Sequence, residues 1–152
     1  MTHRHIILDS GPLGMVTNPK ASGITLDCQL WLESQLQQGS IILIPEIADY
    51  EVRRELLRVS RQRSVRQLDQ LKAALEYIPI TTEMILKAAE LWAQIRQQGL
   101  PTADPNSLDG DVILADQTII TSQQRQQEII IATTNVGHLS RFTIAQDWQS
   151  IN

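Results

Sequence analysis

Three short runs of isoleucine and leucine punctuate the chain, and none of them alternates with polar residues. His5-Ile6-Ile7-Leu8-Asp9 closes in Asp-Ser-Gly-Pro, Ile41 to Ile44 is stopped by Pro45, and Glu128 to Ala132 ends in Thr-Thr-Asn. A strand with one wet face alternates, so unbroken β-branched runs predict strands covered on both faces, as in a parallel sheet. Ile78-Pro79-Ile80 predicts a shorter fourth strand. Between the runs, apolar residues recur at helical spacing. One set runs from Ile24 to Leu36 before Gly39, and another from Ile47 to Val59 behind Pro45. Leu68, Leu71 and Leu75 form a third, and Met84 to Ile95, stopping at Gly99, a fourth. Leu100 to Leu108, with Pro101 and Pro105, reads as a loop, and Val112 to Ile119 as a further helix reaching Gln123. Strands alternating with helices predict an α/β fold, a three-layer α/β/α sandwich on a mainly parallel sheet.

A chain of 152 residues predicts a single domain, 1–152, burying roughly 70% of its unfolded surface. The apolar runs fall far short of the roughly 18 residues a membrane span needs, and Asp9 interrupts the first too early for a secretory signal. A cytoplasmic protein with no membrane partner is the expectation. Cys28 is the only cysteine, which excludes an internal disulfide and a cysteine-built zinc site.

The net charge of −4 argues against indiscriminate binding to polyanions. Yet seven of the 13 lysines and arginines fall between Arg53 and Lys72. Such clustering is either a solvated helix face or a local positive surface for phosphate, with Arg61, Arg63 and Arg66 at its centre.

In an open parallel sheet, ligands gather beyond the carboxyl ends of the strands. Asp9 stands at the end of the first strand and Asn135 just past the end of the third strong one. Glu51 falls six residues after Pro45, and Asp111 opens the helix leading to the last strong strand. Each alone reads equally well as a helix cap. Together, carboxylates crowded at one edge repel one another unless a cation or shared protons relieve them. Oxygen donors with no cysteine or histidine cluster favour Mg²⁺ or Mn²⁺ over Zn²⁺, and such an ion can activate water against a phosphodiester.

The pattern Ile-Ile-Leu-Asp9-Ser10-Gly-Pro-Leu, Ile-Leu-Ile-Pro45 with Glu51 six further on, Leu-Asp-Gly-Asp111-Val-Ile-Leu-Ala and Ile-Ala-Thr133-Thr134-Asn135 resembles a PIN domain of the compact bacterial type typified by the VapC toxins. The likeness spans His5 to about Phe142 and keeps the order of the motifs. It implies a parallel-sheet α/β/α domain, a Mg²⁺- or Mn²⁺-dependent ribonuclease, frequent homodimers and, for a toxin, an antitoxin protein as partner. Asp9, Glu51 and Asp111 match the family's first three acidic ligands, and Ser10 the small hydroxyl residue that follows the first. Asn135 stands where many members carry a fourth acid, which it replaces with an uncharged oxygen. The interval from Asp111 to Asn135 is longer than in the family, with the excess expected around Ser122 to Gln127.

Asp109 and Asp116 are seven apart and share a helical face, whereas Asp111 and Asp116 are about 140° apart. Asp111 is therefore the ligand candidate, Asp109 a cap or support, and Asp116 peripheral support. His138, three residues after Asn135, is a candidate for RNA contact or proton transfer as well as for a plain surface position. Trp31, Trp92 and Trp148 read as core or interface residues. Other enzymes with a strand-end aspartate fit less well. A dehalogenase-like phosphatase needs a second aspartate where Gly11 stands, and a receiver domain needs a late lysine that Lys20, Lys72 and Lys87 do not supply. The competing function is a catalytically weak PIN-like module that binds RNA or a protein, for which Asn135 is the supporting feature.

Overall fold

His5 pairs with both Ile41 and Ile129, and Ile7 with both Leu43 and Ile131, so the first strand is flanked on each side by a parallel neighbour. The computed structural model describes residues 3–99 and 105–152. Its strands β1 (His5–Leu8), β2 (Ile41–Pro45), β3 (Glu76–Ile78), β4 (Ile129–Thr133) and β5 (Ala145–Asp147) form one parallel sheet in the order β3-β2-β1-β4-β5. The helices are α1 (Ser10–Val16), α2 (Gly23–Gln37), α3 (Glu46–Arg58), α4 (Gln62–Ala74), α5 (Thr82–Gln98), α6 (Pro105–Arg125) and α7 (Val136–Leu139), and a 3-10 turn follows β5 at Trp148–Ser150.

The non-alternating runs do what their composition predicts. Ile6 and Leu8 pack with Leu13, Val16, Leu32 and Val52 on one face of the sheet. Ile7 packs with Met84, Leu114 and Leu139 on the other. Helices therefore cover both faces, giving the expected three layers. Trp31 and Trp148 meet edge to face at 5.8 Å on the first side, with Trp31 Nε1 donating to the Ile151 carbonyl at 2.8 Å. Trp92 departs from the core reading and stands half exposed on α5. Cys28 is buried and unpaired. Among the described residues no helix is long and apolar enough to cross a membrane.

Several local expectations are corrected. The Asp-Ser-Gly-Pro stretch expected to turn after the first strand instead opens a helix, Ser10–Val16: Pro12 lies in its first turn, where a missing N–H costs nothing. The fourth strand is Glu76–Ile78 and ends where Pro79 begins, because proline has no N–H for the ladder. β5 has no apolar run at all; it is an edge strand whose only partner is β4. Of the loop placed at Leu100 to Leu108, residues 100–104 lie outside the described residues and Pro105 already begins α6. Asp111 thus lies two turns inside α6 rather than at its start, and Asp109, also inside the helix, is not its cap. The segment Ser122 to Gln127, where extra length was expected, forms the last turn of α6 and a tight reversal at Gln126 (φ 50°), where Ser122 Oγ donates to the Gln127 carbonyl at 2.6 Å.

Strand order grows from β1 to β2 and β3, then the chain crosses back through α5 and α6 to β4 on the opposite side of β1. That reversal opens a crevice at the carboxyl ends of β1 and β4.

Candidate functional site

Asp9 leaves β1 at this crevice. Its N–H donates to the Ala132 carbonyl at 3.0 Å, which ties it to β4. Its Oδ1 accepts from the Ser10 N–H at 2.7 Å and lies 3.5 Å from the Ser10 hydroxyl. Its Oδ2 accepts from Thr133 Oγ1 at 2.7 Å. Asp9 is the N-cap of α1 as well as a site residue, so the two readings of a strand-end carboxylate hold together.

Glu51 reaches the same region from α3 and Asp111 from α6. A Cβ on Gly110 would stand 2.6 Å from Glu51 Oε2, so the helix gives up a side chain to let the carboxylate in. A glycine inside a helix costs about 1 kcal/mol against alanine, and that local cost was the available signal for a close approach. Gln117 fixes α6 against α3. Its side chain accepts from the Ile47 N–H at 3.1 Å and donates to the Ile78 carbonyl at 2.8 Å, wholly buried.

The three carboxylates act on one another. Burial and then the charge of Asp9 push Glu51 up to about 7, with Arg54 opposing and Asp111 adding to the rise. Burial and Asp9 push Asp111 up to about 6, against the pull of His138 and Arg141. Among the described residues no three acidic, histidine or cysteine side chains are already close enough to hold an ion. Asp9, Glu51 and Asp111 are near enough for the charge of Asp9 to act on the other two without forming a ready-made cage. Their chemistry fits a hard divalent cation: oxygen donors only, partly withdrawn from water, with a charge excess that such an ion would relieve.

Asn135 caps α7. Its N–H donates to Thr133 Oγ1 at 2.8 Å and its Nδ2 lies 2.7 Å from His138 Nδ1. His138 Nδ1 in turn stands 3.9 Å from Asp111 Oδ2. Asn135 is therefore joined to the carboxylates through His138 and through Thr133. Sequence reasoning missed Thr133, which organises both Asp9 and Asn135; its only signal was a hydroxyl at the last position of a buried strand.

The remaining candidates lie elsewhere. Asp109 is exposed on the side of α6 that faces Ala88 and Trp92 of α5. Asp116 is buried beside Lys87 and Glu90, its Oδ2 without a hydrogen bond, and burial raises it to about 6. Neither joins the carboxylate group. Arg61, Arg63 and Arg66 line a separate cleft with Lys20.

No protein-family model and no curated protein matches the sequence. Solved structures do match its architecture. A chain of VapBC2 from Rickettsia felis, bound to a DNA fragment from its promoter, superposes with a TM-score of 0.69 at 18% identity, covering 94% of this chain and 98% of that one. The chain has the VapC-type PIN-domain fold. DNA-bound VapBC from Salmonella typhimurium gives a TM-score of 0.65 at 16% identity, with 95% and 98% covered. VapBC-1 from nontypeable Haemophilus influenzae gives 0.64 at 14%, with the same coverage. At such identities the PIN likeness speaks for the fold, and the chemistry must be argued from the side chains.

Proposed function

We propose that this PIN-fold chain, as one domain of residues 1–152, is a Mg²⁺- or Mn²⁺-dependent endoribonuclease that hydrolyses RNA phosphodiester bonds. The observation that carries the reading is that Asp9, Glu51 and Asp111, from β1, α3 and α6, come near enough to repel at the switch point of the sheet, where burial and the charge of Asp9 raise the proton affinities of Glu51 and Asp111. Asp9, Glu51 and Asp111 would hold the ion, which supplies an activated water and a positive centre beside the phosphate. Asp9 is held in one orientation by Thr133 and Ser10. Glu51 and Asp111 exchange protons near neutral pH, so ion binding displaces protons from them. Asn135 Nδ2, 2.7 Å from His138 Nδ1, holds the imidazole beside Asp111, where His138 is proposed to contact the RNA or move a proton. Arg61, Arg63 and Arg66 are proposed to contact RNA away from the reacting bond.

The VapBC likeness supports extending this to the toxin of a type II toxin–antitoxin pair, cytoplasmic, with an antitoxin as partner. A homodimer has an available surface on α5, where Ile85, Leu86 and Trp92 are exposed. A second reading, an RNA- or protein-binding module with weak turnover, draws on Asn135: the position adds no charge, and its amide is engaged by His138.

The deciding experiment incubates a mixed RNA pool with purified protein and Mg²⁺, Mn²⁺ or chelator. New RNA ends with either metal and none with chelator are expected. RNA that is retained but never cut under any of the three conditions sinks the nuclease and leaves the module.

A further inference from the structure

A second polar feature lies where α1 ends and α3 turns into α4. A cleft of about 340 Å³ separates Asn18 and Lys20 from the segment Ser60 to Arg66. Lys20, Arg61, Arg63 and Arg66 line it, with no acidic side chain among its walls. Among the described residues none of these four cations enters an ion pair, whereas Arg53, Arg58, Lys87 and Arg125 all do. What distinguishes the four is that they gather on one cleft with no carboxylate in its walls.

The start of α4 opens into the same cleft. Its N-cap is Arg61, which supplies no side-chain acceptor, and its first turn carries no acid. The first N–H to return to the helix is that of Val65, to the Arg61 carbonyl at 3.1 Å. The amides of Gln62, Arg63 and Ser64 are therefore available to an acceptor. Ser64 is only 6% exposed, lines the cleft, and its hydroxyl enters none of the hydrogen bonds among the described residues. The hydroxyl is reached by solvent from the cleft, where it stands beside free amides and unpaired cations as one more donor to an acceptor bound there. The walls are held in advance: Gln67 Nε2 donates to the Val16 carbonyl at 3.3 Å and Gln29 Nε2 to the Asn18 carbonyl at 2.8 Å.

The cleft is also in register with the carboxylates. Asp9 begins α1 and Lys20 lies past its end; Glu51 lies within α3 and Ser60 past its end. The two helices pack together. Each leads from a carboxylate to the cleft over a helical span of roughly 10 Å, at about 1.5 Å per residue. A single strand covers such a distance in a few nucleotides.

We infer that this cleft is a phosphate-binding subsite, which holds a non-scissile phosphate of the bound strand and thereby sets which bond lies over the carboxylates. Phosphate is favoured over an acidic peptide because its several oxygens can use the amides, the Ser64 hydroxyl and more than one guanidinium at once, where a carboxylate fills one fork. That the strand is RNA rests on the proposed function; that the cleft takes phosphate does not.

The test is made in chelator, so that no cleavage intervenes. Wild-type protein is titrated with a single-stranded oligoribonucleotide carrying a terminal phosphate and with its dephosphorylated counterpart, and separately with inorganic phosphate while backbone amide resonances are followed. Inorganic phosphate is expected to shift the amides of Gln62, Arg63 and Ser64 and to leave those of Asp9, Glu51 and Asp111 in place. Replacing Arg61, Arg63 and Arg66 by Gln should weaken oligonucleotide binding roughly tenfold or more and lower its salt slope by about 1. Ser64→Ala should weaken it a few-fold with the slope unchanged. Preference for the phosphorylated oligonucleotide assigns the cleft to a strand end; equal loss of both in the variants assigns it to an internal phosphodiester. Wild-type protein that responds to phosphate but binds neither oligonucleotide ends the RNA reading and leaves the phosphate site standing. Amides unmoved by phosphate, or variants that keep both affinity and slope in a folded protein, overturn the inference, and capture of an acidic peptide instead would identify the cleft as a protein contact.

Discussion

Asp49 and Glu51 stand two residues apart on α3, both drawn out of water, and meet opposite surroundings. Asp49 accepts from Arg53 Nε at 2.9 Å and from the Tyr77 hydroxyl at 3.0 Å, and Arg53 goes on to Asp69 at 2.8 Å. Its charge is answered within the fold. Glu51 has no such partner: burial first and then the charge of Asp9 raise its proton affinity, Asp111 adds to the rise, and the pull of Arg54 does not cancel it. One helix thus carries a carboxylate that stabilises the fold and one that the fold leaves in excess. The difference separates an acid buried for structure from an acid kept for an external cation.

The largest effect should come from removing the uncompensated charges. Asp9→Asn, Glu51→Gln and Asp111→Asn are each expected to cut metal-dependent RNA cleavage by roughly 10²-fold or more with the fold retained, as circular dichroism would check. Undiminished turnover in all three would take them out of the chemistry.

Asp49→Asn should do the reverse. Losing the charge that answers Arg53 and Tyr77 is expected to cost about 1–3 kcal/mol in denaturant unfolding, at the lower end of buried-pair losses because Arg53 keeps Asp69 and part of its surface is exposed. Cleavage below the unfolding transition should stay near wild type. A collapse of turnover without a loss of stability would erase the contrast between the two acids.

A smaller effect concerns pH without metal. Glu51 and Asp111 hold protons more tightly when folded, at about 7 and 6, than their ordinary values of 4.5 and 3.8. Their contribution is therefore full below about pH 4 and is lost progressively as pH rises from there through the folded values of about 6 and 7. Glu51→Gln should raise the metal-free melting temperature at pH 8 by about 1–3 °C, discounted for partial exposure, and the gain should shrink as pH falls and vanish below about pH 4. The same linkage requires Mn²⁺ affinity to fall as pH drops below about 7, which calorimetric titration would follow. A gain that persists at acid pH would mean that charge is not its source.

The smallest effect expected is that of Asn135→Asp. Added charge beside Thr133 and His138 should tighten Mg²⁺ or Mn²⁺ binding several-fold and change cleavage modestly if one ion suffices. A substantial rise in cleavage would favour the weak-module reading of the wild type. Unchanged affinity would place Asn135 outside the metal's reach.

The α/β class, the strands β1, β2 and β4 and the helix stops at Gly39 and Gly99 were legible without a structure, because each is written in residues close together in sequence. Non-alternating apolar runs report burial on both faces, and glycine reports a left-handed stop, with φ of 86° and 64° at those two positions. The position of Asp9 at a strand end followed from the same local rule, and the pattern of four motifs named the architecture. Tertiary structure alone brought Glu51 beside Asp111 through the Gln117 lock and the gap at Gly110. It alone joined Thr133 to Asp9, whereas the separation of Asp116 from Asp111 on α6 already followed from helical spacing. The short α1 and the edge strand β5 were hidden for a related reason: a glycine- and proline-containing helix and a polar strand carry no periodic signal of their own, and both exist because β1, β4 and their neighbours give them something to pack on. Periodicity records how deeply a residue is buried, whereas which charge stands opposite which is a property of chain segments tens of residues apart, settled only when the sheet closes.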